Sequence, residues 1–60
     1  MSGQVKRYEY GYVHCSVPIF EWDEAMEIGV VYARDKREAE SLAWDSLPGY
    51  DYTIIMIKER

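Results

Sequence analysis

The chain has 60 residues, 48% of them hydrophobic and 15% aromatic, with a formal net charge of −4, a composition that excludes a disordered segment and describes one globular domain spanning residues 1–60. One cysteine, Cys15, excludes an internal disulfide and fits a reducing, cytoplasmic setting, and no apolar run approaches the ~20 residues of a membrane span. The negative balance speaks against a general nucleic-acid binder, because such proteins draw their non-specific affinity from neutralising phosphates.

In chain order, "RYEYGYVHCSV" alternates strictly and predicts a first strand over residues 5–17, with Gly11 as a bulge or a point of close backbone approach and Pro18 as its end. Successive strand side chains point to opposite faces, so Tyr8, Tyr10 and Tyr12 share one side while Val13, Cys15 and Val17 share the other. "PIFEWDE", residues 18–24, reads as a connection. "AMEIGVVYA", residues 25–33, predicts a second strand with Met26, Ile28, Val30 and Tyr32 on one face. Asp35 followed by Glu38 is a capping box and starts a helix, in which Ala39, Leu42, Ala43 and Leu47 recur on one face. "PG" at 48 and 49 stops it. "YDYTIIMIKER" predicts a third strand with Tyr50, Tyr52, Ile54 and Met56 on one side and Thr53, Ile55 and Ile57 on the other.

The expected fold is α+β, order ββαβ: a three-stranded sheet with the first strand central and one helix packed on one face. The helix joins the second and third strands by a right-handed crossover, and the first runs antiparallel to both. Helix-facing positions are expected to be Tyr8, Tyr10, Tyr12, Met26, Ile28, Val30, Tyr52, Ile54 and Met56. The opposite face then carries Val13, Cys15, Val17, Val31, Ile55 and Ile57, interrupted by Arg7, Glu9 and Glu27. One helix leaves that face bare, and a chain this short has little core to spare. A homodimer packed sheet on sheet through Val13, Cys15, Val31, Ile55 and Ile57 is the expected cover, with a different partner protein as the alternative.

This topology sorts the charges. Lys6, Arg7, Arg34, Lys36, Arg37, Lys58 and Arg60 gather at one end, and Glu21, Asp23, Glu24, Glu27, Asp45 and Asp51 at the other. Carboxylates beside an aromatic anchor suit a protein target with a basic surface, so Glu21, Trp22, Asp23, Glu24 and Glu27 form the expected partner site. Phe20 is expected to fold back over the end of the core, with Trp22 divided between that role and contact. The alternative is a nucleic-acid or phosphate site at Arg34, Lys36 and Arg37 beside the helix start, where Asp35 competes for the free amides.

No catalytic signature is present. His14 and Cys15 are neighbours on a strand, so the imidazole and the thiol point apart and cannot form a nucleophile and base. One histidine and one cysteine on opposite faces do not supply a zinc site, so neither a metal nor a cofactor is expected. The row of tyrosines could stack bases, but the middle of its face lacks the cations that track a backbone. The resulting expectation is a small non-enzymatic binding protein, an accessory or inhibitor of the kind that viruses and mobile elements encode.

Overall fold

The computed structural model, which describes residues 4–60, places the first strand, β1 (Lys6–His14), at the centre of a three-stranded sheet. β2 (Glu27–Ala33) and β3 (Tyr52–Glu59) flank it, both antiparallel to it, in the order β2-β1-β3. That is the expected α+β arrangement with the expected central strand. The connection differs: residues 18–24 are not a plain loop but carry a 3₁₀ turn (Ile19–Glu21) that runs into one turn of helix, α1 (Trp22–Ala25). Pro18 supplies the fixed φ, here −68°, that suits entry into such a turn. Asp23 and Glu24 sit in the first turn of α1, where unpaired amides favour acids. The second strand consequently starts at Glu27, two residues later than its alternation predicts.

The main helix, α2 (Lys36–Asp45), begins as expected. The Glu38 N–H donates to Asp35 Oδ1 at 2.8 Å, and the Glu38 carboxylate accepts from the Arg34 N–H at 2.7 Å, one residue before the usual capping-box donor. Asp35→Ala should therefore cost ~0.5–2 kcal/mol of stability, read as a lowered urea midpoint, and an unchanged midpoint would show that the cap contributes nothing.

The helix packs on the sheet through two fully buried alanines, Ala39 and Ala43, against Tyr8, Tyr10, Val31 and Ala33, with Tyr12, Leu47, Ile54 and Ile57 around them. β1 ends at His14, so Cys15 and Val17 lie in the turn beyond it instead of in a strand that reaches residue 17; within the strand the faces are as predicted, while those of β2 are reversed. Val31 opposes Tyr8 and Gly29 opposes Tyr10, so Gly29, Val31 and Ala33 face the helix and Ile28, Val30 and Tyr32 face away. The physical reason is size: Tyr10 of β1 leans across toward β2, and a Cβ at Gly29 would overlap the hydroxyl end of its ring. Small residues on that side also let the alanine face of α2 approach closely. Glu27, opposite Tyr12, belongs to the helix side as well, and Leu42 is largely exposed rather than core.

In β3 a bulge resets the pattern. Gly11 opposes Met56 but Tyr12 opposes Ile54, so Ile55 is the extra residue and the face changes across it. Tyr52 and Ile54 keep their predicted helix-facing side, whereas Ile57 turns toward the helix and Met56 away from it. On the open side the chain covers part of its own sheet. The Met26 side chain lies against Gly11, as close approach at that glycine requires, and the Trp22 indole N–H donates to the Val17 carbonyl at 3.1 Å.

Candidate protein-binding surface

The antiparallel pairings bring the end of β1, the starts of β2 and β3 and the C-terminal end of α2 together at one end of the molecule. The Cys15 N–H donates to the Asp51 carbonyl at 2.6 Å and ties the turn after β1 to the start of β3. Glu21, Asp23, Glu24, Glu27, Asp45 and Asp51 are all exposed at this end. None of them forms an ion pair among the described residues.

Within that end the two aromatic residues take different roles. Trp22 is half-buried, held by its hydrogen bond to Val17, and so helps to close the end of the sheet. Phe20, expected to fold inward, is 82% exposed, and Ile19 beside it is 74% exposed. Both ride on the 3₁₀ turn, which ends at Glu21 and runs into Trp22, Asp23 and Glu24. Of the five predicted partner residues, Glu21, Asp23 and Glu24 thus surround an apolar projection made by two residues outside the set. Glu27 stands slightly apart, opposite Tyr12, whose hydroxyl is pushed above the usual tyrosine range by burial first and by the Glu27 charge second. The signal available in sequence was the Ile-Phe pair directly after a proline, which a short turn cannot easily bury.

The basic end satisfies much of its own charge. Glu9 lies 3.7 Å from Arg7 and 3.6 Å from Arg60, and Arg34 lies 3.4 Å from Glu38. The backbone and side-chain hydrogen bonds from Arg34 hold the Glu38 carboxyl below the usual carboxylate range. Of the predicted anion site, Arg34 is thereby engaged and the helix start is occupied by Asp35 and Glu38, leaving Lys36 and Arg37 exposed.

The predicted self-association residues are not brought to one surface. Val31 and Ile57 face the helix, Val13 is buried, Cys15 is exposed in the turn after β1, and Ile55 sits at the bulge. On the open side Ile28, Val30 and Tyr32 of β2 are exposed, at the positions the reversed strand assigns them, while Met26 and Met56 beside them are half-buried.

His14 and Cys15 remain apart in role. The Ser16 N–H donates to His14 Nδ1 at 3.1 Å and the Ser16 hydroxyl lies 2.7 Å from the same nitrogen, so that acceptor is taken within the turn. No group of three His, Cys, Asp or Glu side chains among the described residues is placed to hold a metal ion, and no helix is long and apolar enough to cross a membrane. Comparison with protein-family models, curated proteins and solved structures finds no match to this chain.

Proposed function

We propose that this chain is a small non-enzymatic binding protein, an accessory or inhibitor protein of viral or mobile-element type, that seizes a protein target carrying a basic surface and acts in the cytoplasm as a homodimer. The observation that carries the reading is the exposed Ile19-Phe20 pair inside a stretch of carboxylates with no base. An apolar anchor supplies the residence time of a complex and the surrounding charge supplies its rate of encounter. One free, exposed thiol accords with a reducing compartment. The nucleic-acid alternative at Arg34, Lys36 and Arg37 draws less support, because Arg34 and the helix amides are already engaged within the chain.

Capture from lysate with the intact chain and with Ile19→Ser/Phe20→Ser in parallel, followed by kinetics on the captured protein, tests this. The double variant should weaken the complex ~10–100-fold, mostly through faster dissociation. Asp23→Lys/Glu24→Lys should instead slow association and flatten its salt dependence. Binding that survives both changes and disappears with Lys36→Glu/Arg37→Glu would overturn the reading in favour of the basic end.

A further inference from the structure

β2 is an edge strand whose outer side is bare. The Arg60 N–H donates to the Arg7 carbonyl at 2.9 Å, so Arg7 turns its backbone groups toward β3, and its neighbours on the strand, Tyr8 and Tyr10, turn theirs toward Val31 and Gly29. By the same alternation the N–H and C=O groups of Ile28, Val30 and Tyr32 point outward, away from the sheet. The side chains of these three residues lie on the open face, where they are 50%, 39% and 62% exposed. From Ile28 to Ala33 the strand has no charge, proline or bulge, which are the devices that normally blunt a sheet edge. β3, at the other edge, is interrupted by its bulge and borders a groove lined by Lys36 and Glu40 of α2.

We infer that β2 pairs with β2 of a second copy of this chain, antiparallel, across a two-fold axis at Val30, to give one six-stranded sheet. A two-fold axis normal to the sheet matches positions on the same face, and centring it on Val30 sets Ile28 opposite the partner's Tyr32. The six exposed apolar side chains of the two β2 strands then form a single cluster. The antiparallel run also lays the acidic end of each copy beside the basic end of the other. Moving the axis to Val31 would instead oppose Glu27 to the partner's Asp35 and Ile28 to the partner's Arg34, so charge and apolar pairing select the same register. The inference rests on the homodimer in the function above and is independent of the target surface at Ile19 and Phe20.

Sedimentation of the whole chain at micromolar concentration should show a dimer, and Val30→Pro should weaken self-association at least tenfold. Proline there removes an outward N–H and no bond to β1, so the variant keeps its far-ultraviolet spectrum. Tyr32→Lys, which leaves the backbone intact, should weaken the dimer as well. In a Cys15→Ser background, Val30→Cys should cross-link to itself on mild oxidation, because that position faces its own copy across the axis. Tyr32→Cys should cross-link only when mixed with Ile28→Cys. A dimer that ignores Val30→Pro and yields no Val30→Cys cross-link would overturn the edge pairing while leaving the homodimer standing. A wild-type monomer throughout the range would overturn both.

Discussion

Gly29→Ala should be among the most damaging single substitutions in this protein, costing ~1–3 kcal/mol or more of stability. The added methyl would have to occupy space that the Tyr10 ring fills, and that ring is buried, rigid and central to the helix-side cluster. For a 60-residue chain whose total stability is on the order of a few kcal/mol, the change removes a large part of it. Urea unfolding should show a much lower midpoint with little change in slope. Gly11→Ala is the informative comparison. Its methyl would meet the Met26 thioether, an adaptable chain at the edge of the open face, which can swing aside at smaller cost. Equal losses at the two glycines would mean that Tyr10 has room to move and that size does not set the face of β2.

Ala43→Leu should also destabilise by ~1–3 kcal/mol, which in a domain of this size lowers Tm by roughly 4–8 °C per kcal/mol. Leucine is a good helix former, so the loss comes from packing alone: Ala43 is fully buried where α2 lies closest to the sheet, with no room for three further carbons. Leu42→Ala, next to it, should cost well under that, because Leu42 keeps more than a third of its surface in solvent. Thermal melts of the two variants side by side check the contrast. The reverse ranking would place α2 on its leucine face, as helical periodicity alone implies.

That contrast shows how far sequence reading reaches in this chain. The strand directions were legible, because a helix between two strands of one sheet makes them parallel and the remaining strand antiparallel to both, and the central place of β1 followed from its length and its two partly apolar faces. The cap at Asp35 was legible for a local reason, since its partners lie within one turn. The faces of β2 were not. Both of its parities are apolar, and ranking by hydrophobicity chooses Ile28 and Val30 over Gly29, Val31 and Ala33, whereas close packing of tyrosines and alanines chooses the small side. In β3 the run Ile54–Ile57 is apolar at every position, so one bulged residue changes the face without leaving a mark in the pattern. At the acidic end, topology located the carboxylates correctly. It could not separate Phe20 from Trp22, because what holds Trp22 inward is a hydrogen bond to a turn carbonyl.

Because β1 lies between its two partners, the sheet assembles from contacts of very unequal range. Tyr10 meets Gly29 across a modest stretch of chain and Ile57 across more than twice that stretch, so closing β1 on β3 demands the larger loss of chain entropy. β1, β2 and α2 occupy one continuous stretch and can find one another first, leaving β3 to dock onto a template already twisted and partly covered. Folding speed in such a topology is governed by that last, distant closure rather than by helix formation, which is complete within about a microsecond. Until it occurs, β1 presents a full side of unpaired backbone, and the interval between hairpin and finished sheet is when crowded copies of this chain are most prone to join the wrong edges.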